Sequence, residues 1–434
     1  MANPRQIAFQ ALLKTEKDGA FSNLALDAVL SKSQLDTRDK SFVSNLFYGV
    51  IERQLTIDYN LSLYLTKPLK KLKPEALTIM RMGAYQILFM DKVPDSAAVN
   101  ESIKLSKKNN TAYASGLINA VLRKVTAKGL VLPEDENSAE YLSVKYSCPM
   151  WLTQKWTAEY GSEDALKLLE ASLGSADTYI RVNATKISED KLIGELAMEG
   201  VPAEKTYNTN SLKISLKGND IEKLTSFKQG LFHVQDLASQ LCAKALSAKE
   251  GDTVFDLCSA PGGKAYTVCE MMNDKGKVLC FDIYDNRVSL ILKGAKRLGL
   301  KAIEGRVGDA SVYSEALGLA DKVLCDVPCS GLGIIRRKPE IKYKKENELA
   351  DLPEIQFSII CNASRYVKAG GRLVYSTCTL SKAENEDVCR KFLTHHSEFK
   401  PVGVFSEDDE CMKTLMPHKN ESDGFFIACF ERKE

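Results

Sequence analysis

The 434 residues are 44% hydrophobic and 27% charged, enough apolar content to bury the cores of two or three globular domains and too much for a disordered or fibrous chain. The formal net charge of +2 conceals an asymmetry: residues 1–130 hold 19 Lys and Arg against 11 Asp and Glu, a surplus of +8, which leaves the remainder at −6. A basic amino-terminal module suits a phosphate-rich partner, although a solvated helical surface would read the same way.

No apolar run approaches the ~18 residues that a membrane span requires. Charges interrupt the first twenty residues where a signal peptide would carry its apolar core, so a cytoplasmic location is expected. The twelve cysteines are scattered, several inside apolar runs, and are expected to be reduced. There is no Cys-x-x-Cys pair, and His395 and His396 are adjacent instead of at ligand spacing, so no metal site is expected.

Over residues 1–130 the apolar positions recur at helical spacing, as in Ile7, Ala8, Ala11 and Leu12 after Pro4, and Leu77, Met80, Ala84 and Leu88 after Pro74. Proline in a first helical turn fits this pattern, which predicts an all-α bundle. Lysines and arginines gather at Lys67, Lys70, Lys71 and Lys73, at Lys104, Lys107 and Lys108, and at Arg123 and Lys124, all candidate RNA contacts. The stretch from Leu130 to Asn137 is polar and broken by Pro133, as a linker would be. Residues 140–230 then predict a small α+β module, with an amphipathic helix near Trp151–Glu170 and strands at Thr178–Val182 and Leu212–Leu216.

From 231 to 434 strands alternate with helices, the signature of a doubly wound, mostly parallel sheet. Strands are predicted at Thr253–Leu257, Lys277–Asp282, Ala302–Val307, Lys322–Asp326, Arg372–Ser376 and Phe425–Phe430. Such sheets bind ligands beyond the carboxyl ends of their strands, where Asp256, Asp282, Asp309, Asp326 and Cys378 fall.

The loop Cys258-Ser259-Ala260-Pro261-Gly262-Gly263-Lys264 follows the first of these strands and leads into a helix, so its backbone is able to approach a ligand closely. It lacks the dinucleotide pattern G-x-G-x-x-G and the Lys-Ser/Thr ending of a phosphate loop, which argues against NAD and ATP. Asp282 is placed to accept from ribose hydroxyls and Asp309 to meet an adenine amino group. Either alone reads as an ordinary turn residue, but their joint spacing favours S-adenosylmethionine. Cys329, in Asp326-Val327-Pro328-Cys329-Ser330-Gly331-Leu332-Gly333, and Cys378, in Tyr375-Ser376-Thr377-Cys378-Thr379, each close an apolar run at a strand end.

These three motifs resemble, in order and spacing, those of RNA cytosine-5 methyltransferases. Over its whole length the chain resembles the bacterial small-subunit ribosomal RNA methyltransferase B family. Arg81-Met82-Gly83-Ala84-Tyr85-Gln86, Val93-Pro94-Asp95-Ser96-Ala97 and Leu117-Ile118-Asn119-Ala120-Val121-Leu122-Arg123 carry the likeness of residues 1–130 to a NusB-like RNA-binding domain. The resemblance implies a multidomain protein: an all-α NusB-like bundle (1–130), a small α+β module (140–230) and an α/β Rossmann-like class I S-adenosylmethionine-dependent methyltransferase domain (231–434). It also implies a monomer acting on naked 16S rRNA, with neither membrane nor DNA as partner, and a target cytosine conventionally numbered 967. Departures from the family pattern are Cys148, where histidine is common before Pro149, and Tyr343, where tryptophan is common; they bear on packing or RNA contact.

The chemistry explains the cysteines. Cytosine C5 is a weak nucleophile, so a thiolate adds to C6, C5 attacks the sulfonium methyl, and loss of the C5 proton expels the thiolate. The resemblance assigns the nucleophile to Cys378 and resolution of the adduct to Cys329, a division that the residues by themselves leave open. Asp326 is expected at the N3/N4 edge of the base. The expected cofactor set is Cys258, Ser259, Ala260, Pro261, Gly262, Gly263, Lys264, Asp282, Arg287, Asp309 and Asp326. Arg336, Arg337 and Lys338 are expected on RNA phosphates beside an unpaired or extruded target. A non-catalytic RNA-binding or assembly factor is the contrasting reading, against which the intact cysteine pair argues. Methylation of an exocyclic amine would call for an Asn/Asp-Pro-Pro-aromatic loop, where this chain has Asp-Val-Pro-Cys.

Overall fold

A computed structural model describes residues 3–18, 22–216, 218–406 and 409–434. Packing divides the chain into two units, Met1–Gly174 with Ile335–Lys344, and Ser175–Ile334 with Lys345–Glu434.

In the first unit, helices α1 (Pro4–Asp18), α2 (Ser22–Leu30), α3 (Thr37–Glu52), α4 (Gln54–Ser62), α5 (Pro74–Phe89), α6 (Asp95–Lys108) and α7 (Ser115–Lys128) form the expected bundle. Pro74 opens α5, and the Asp36 carboxylate caps α3 by accepting from the Asp39 N–H at 2.8 Å. Every residue of α5 from Ala76 to Gln86 is buried, which makes it the central helix. Arg81 survives there because Asp58 accepts from it bidentately at 2.7 Å and Glu16 accepts at 3.2 Å. The lysines and arginines singled out from sequence on this unit, from Lys67 to Lys124, are exposed.

By packing, residues 131–174 group with the bundle. Val131 is tied down rather than loose: its N–H donates to Asn60 Oδ1 at 2.8 Å and its carbonyl accepts from Asn60 Nδ2 at 3.0 Å. Helices α8 (Ala139–Lys145) and α9 (Met150–Ala171) therefore stay with the bundle, where the Leu55 N–H donates to Ser147 Oγ at 3.0 Å and Leu152, Trp156, Leu168 and Leu169 are buried. The amphipathic helix expected in the middle module is thus part of the first unit by packing, and Gly161, at φ 80°, breaks it into two. Residues Ile335–Lys344 also join the bundle. Ser22 Oγ donates to Glu340 at 2.8 Å, the Lys342 ammonium to the Glu52 carbonyl at 2.6 Å, and the Tyr343 hydroxyl to the Ile51 carbonyl at 2.7 Å. Cys148 is fully buried and Tyr343 packs on the bundle core, so both departures from the family pattern lie in packing.

In the second unit, β1 (Thr178–Val182), β2 (Ala203–Lys205), β3 (Ser211–Ile214) and β4 (Phe232–Val234) form an antiparallel sheet in the order β2-β3-β1-β4. Helix α10 (Glu189–Met198) covers it through Leu192 and Leu196, and the one-turn α11 (Thr225–Lys228) precedes β4. The second sheet contains β5 (Thr253–Asp256), β6 (Lys277–Asp282), β7 (Ile303–Val307), β8 (Ala320–Asp326), β9 (Val367–Thr377), β10 (Phe399–Pro401), β11 (Met412–Leu415) and β12 (Phe425–Arg432). Its order is β10-β12-β9-β8-β5-β6-β7, with β11 paired to β12. The five strands β7-β6-β5-β8-β9 are parallel, and β12 runs antiparallel to β9.

One core lies beneath α12 (Leu237–Ala245), α13 (Gly263–Met271) and α14 (Asp285–Leu298), and another beneath α15 (Leu352–Ser364) and α16 (Glu386–His395). This is the predicted Rossmann-like α/β architecture. The six strands expected from sequence all form, with β8 and β9 starting earlier than expected. The short β10 and β11 escape a sequence reading, because three or four residues carry no readable period. Strand order reverses between β5 and β8, which opens a crevice at their carboxyl ends.

Candidate active site

Asp256 ends β5 and is 1% exposed. The following loop turns sharply at Gly262, whose φ of 107° would strain any other residue and whose added Cβ would run into the Tyr266 ring. Tyr266 pins the loop by donating to the Pro261 carbonyl at 2.9 Å, and the Ser259 N–H donates to Phe281 O on the neighbouring strand at 2.8 Å. The loop backs a cleft of about 220 Å³ lined by Gln235, Asp236, Ser239, Asp256, Lys264 and Asp326, among others. Among the described residues both Asp256 carboxylate oxygens and the Ser259 hydroxyl are buried with no partner at full hydrogen-bond geometry, and burial pushes the Asp256 carboxyl up to about 7 against the opposing influence of the nearby Ser259 hydroxyl. Buried polar atoms facing a cleft are atoms for a ligand to satisfy, so the loop fits the cofactor expected from sequence.

Asp282, at the end of β6, accepts from the Tyr284 N–H at 3.1 Å and pairs with Arg287 at 3.2 Å. Arg287 also donates to the Ala260 carbonyl at 3.4 Å, joining it to the loop. Asp309 lies on a neighbouring cleft of about 320 Å³ with Leu257, Phe281 and Tyr366. Its carboxylate accepts from the Ser311 hydroxyl and N–H at 2.7 and 2.8 Å, and these bonds hold its acid below the usual range.

The two cysteines meet. Their Sγ atoms are 3.3 Å apart, a hydrogen-bond contact well beyond a disulfide's ~2.05 Å, so the two are thiols in contact, both partly exposed. Adjacent parallel strands β8 and β9 bring this about, pairing Asp326 with Ser376 in register. The loops beyond them are stitched together, since the Gly333 N–H donates to the Cys378 carbonyl at 3.0 Å and the Gly424 N–H to the Gly333 carbonyl at 2.9 Å. A Cβ on Gly333 would overlap the Gly424 carbonyl oxygen, so only glycine allows this approach. The contact with Cys378, followed by burial, raises the Cys329 thiol well above its ordinary value, so Cys329 holds its proton.

Asp326 accepts from Lys264 Nζ at 2.6 Å and from Ser376 Oγ at 2.8 Å. Burial acts to lower the Lys264 ammonium, but Asp326, Cys242 and Asp256 outweigh it and the net shift is upward. Lys264 Nζ also lies 5.1 Å from the centroid of the Phe425 ring.

The structure thus gathers Asp326, Lys264 and the glycine-rich loop around one cleft and brings Cys329 against Cys378. Arg336, Arg337 and Lys338 belong instead to the segment that packs with the helical unit, where they are half-buried. Sequence reasoning missed the clamp behind the cysteines. Buried Glu384 accepts from the Ser330 N–H at 2.9 Å, the Ser330 hydroxyl at 2.6 Å and Gln356 Nε2 at 3.0 Å. Gln356 also donates to the Pro328 carbonyl at 3.0 Å, and Asn385 bonds Thr377 Oγ1 at 2.6 Å and the Thr379 carbonyl at 3.0 Å. In sequence these are ordinary polar residues of a loop and a helix. Among the described residues no cluster of three or more His, Cys, Asp or Glu could hold a metal ion, and no helix is long and apolar enough to cross a membrane.

Residues 243–431 match the family model described as 16S rRNA methyltransferase RsmB/F, residues 2–127 the NusB family, and residues 148–218 a ferredoxin-like domain of RsmF/B-like methyltransferases. The chain is 35% identical over 444 residues to the probable ribosomal RNA small subunit methyltransferase B of Bacillus subtilis (strain 168), covering 99% of this chain and 98% of the relative. The chain belongs to the ribosomal RNA small subunit methyltransferase B family. A probable family member from Synechocystis sp. is 32% identical over 450 residues, with 99% of each chain covered. The crystal structure of PH0851 aligns with a TM-score of 0.84 at 28% identity, over 100% of this chain and 99% of that one. Family membership makes the protein an RNA methyltransferase, with a NusB-like amino-terminal domain and a small ferredoxin-like module ahead of the catalytic domain.

Proposed function

We propose that this protein transfers a methyl group from S-adenosylmethionine to C5 of one cytosine in 16S rRNA, the base conventionally numbered 967, through a transient bond between Cys378 and C6. The observation that carries the reading is the 3.3 Å approach of Cys329 to Cys378 beyond the ends of β8 and β9, where Asp326, the last residue of β8, is paired to Lys264. A lone buried thiol has many structural explanations. Two thiols in contact, partly exposed beyond the carboxyl ends of adjacent parallel strands, match a reaction that makes and then breaks a sulfur–carbon bond.

S-adenosylmethionine, when bound, supplies the electrophilic methyl. Everything else falls to the chain. Asp326, held in place by Lys264 and Ser376, accepts from the cytosine N4 amino group and orients the ring. Cys378, as a thiolate, attacks C6, and the electron pair this places at C5 would form the new bond to the methyl carbon as the sulfonium–methyl bond breaks and its electron pair stays on that sulfur. The C5 proton then leaves to a base, the S–C6 bond breaks and Cys378 departs as a thiolate. Cys329, protonated and in contact with that sulfur, assists this release. The Glu384 clamp keeps its loop from drifting. Arg336, Arg337, Lys338 and the exposed lysines of the helical unit hold rRNA phosphates, and the target is unpaired or flipped from its stack.

Bisulfite sequencing of 16S rRNA from cells with and without the gene tests the reading. One 5-methylcytosine is expected to vanish with the gene and return with the wild-type copy. An unchanged map would remove the C5 assignment.

A further inference from the structure

We infer that the side-chain amide of Gln235, held in orientation by Thr267, donates a hydrogen bond to the α-carboxylate of the methyl donor. This rests on the S-adenosylmethionine reading and names which end of that molecule the Gln235 wall of the cleft receives.

Gln235 joins β4 to α12 and is 6% exposed. Its backbone is fixed, with the N–H donating to the Tyr179 carbonyl at 3.1 Å and the carbonyl accepting from Gln240 Nε2 at 3.0 Å. In the side chain, Oε1 accepts from Thr267 Oγ1 at 2.6 Å and faces His233 Nε2 at 3.3 Å. Both contacts fall on the oxygen, so the NH2 end is left for the cleft that Gln235 lines. Nε2 is buried there with no hydrogen-bond partner among the described residues. An unpaired buried donor is costly, and an acceptor arriving in the cleft recovers that cost.

Two further features say what the acceptor is. Nε2 lies 3.7 Å from where a Cβ on Gly263 would stand, so the amide sits over the first residue of the nine-residue α13. The first N–H groups of a helix have no intrahelical partners and favour negative charge. The amide and the helix start together offer donors to an anion. The same cleft also presents Asp256 and Asp326, acceptors suited to an ammonium. Donors and carboxylates in one cleft complement a zwitterion, and the amino-acid end of S-adenosylmethionine carries both charges on one carbon.

The environment behind Gln235 keeps this geometry. His233 Nδ1 is 3.5 Å from Glu270 Oε1, and Arg181 Nε is 3.5 Å from Glu270 Oε2, all buried. This set holds the imidazole against the Gln235 oxygen. Thr267, on α13 itself, couples the amide to the helix whose start it serves.

The test is calorimetric binding to the full chain of two ligands, S-adenosylhomocysteine and 5′-methylthioadenosine, the second keeping the nucleoside and thioether but lacking the amino-acid end. Gln235→Leu is expected to weaken S-adenosylhomocysteine on the order of 10-fold and leave 5′-methylthioadenosine unchanged. Gln235→Glu, which sets carboxylate against carboxylate, is expected to weaken the first ligand further. Thr267→Val should show a smaller loss of the same selectivity. Melting curves of the unliganded variants confirm that each is folded. Equal loss for both ligands, or loss for neither, would overturn the assignment of Gln235 while leaving the methyl-donor reading intact. Failure of the wild-type chain to bind S-adenosylhomocysteine at all would sink both.

Discussion

Each unit of this protein buries a lysine, and the two lysines behave in opposite ways. Lys342, in the helical unit, is fully buried with its ammonium donating to the neutral Glu52 carbonyl, and burial lowers it to about 8. Lys264, in the catalytic unit, has a side chain 11% exposed and is pulled upward by Asp326 at 2.6 Å despite burial. Burial alone therefore does not mark a working site. Lys264 differs in that its buried charge meets an opposite charge and lines a cleft, the setting in which perturbed groups tend to cluster at functional sites. The cysteines repeat the lesson: Cys148 in the helical unit is sealed and pushed up to about 11, whereas Cys378 stands partly exposed against a second thiol.

The sharpest break of this comparison is at the thiols. Cys378→Ala should lower single-turnover methylation on the order of 10³-fold or more, and Cys329→Ala should accumulate an RNA–protein adduct visible on denaturing gels. Cys148→Ala should leave the rate unchanged, and an active Cys378→Ala enzyme would refute the assignment.

Next in size is Asp326→Asn, which leaves the Lys264 ammonium without its carboxylate. It should destabilise the catalytic unit by about 3 kcal/mol in urea unfolding and also slow methylation.

Asp256 supplies a pH test. Its acid rises from 3.8 unfolded to about 7 folded, so the folded state binds the extra proton and stability falls as pH climbs through that window. Melting temperatures from pH 4 to 7 should decline less for Asp256→Asn than for wild type. The difference should amount to a few kcal/mol at most, because each tenfold change in proton affinity is worth about 1.4 kcal/mol.

Smallest is Lys342→Met, which removes a buried charge that no carboxylate of the described residues pairs within ion-pair distance. It should stabilise the helical unit at pH 7 by about 1–2 kcal/mol, with activity unaltered. Because the folded value of Lys342 lies below its unfolded 10.5, wild-type stability should recover between about pH 8 and 10.5 while the Met variant stays flat. A loss of stability in Lys342→Met would show that the Glu52 bond outweighs desolvation.

Much of the catalytic unit was legible in the chain. Apolar runs ended by Asp256, Asp282, Asp326 and Cys378 announced parallel strands, because a buried strand is read from local composition. The Cys329 and Cys378 contexts stood out for the same reason: a motif is a local object. The helical unit was less legible at its border. Leu130–Asn137 has the composition of a linker, but Asn60, some seventy positions earlier, fixes Val131 in place.

The sequence by itself determined the two kinds of unit, the family and the loops that carry reactive groups, since periodicity, turn residues and motifs act over short spans. Only the tertiary structure decided that Cys329 and Cys378 touch, that Glu384 and Gln356 clamp them, that Gln235 turns a donor into the cleft, and that Arg336–Lys338 travel with the helical unit. These depend on strand order and on which polar groups find partners when water is excluded, and both are set by contacts between residues far apart along the chain.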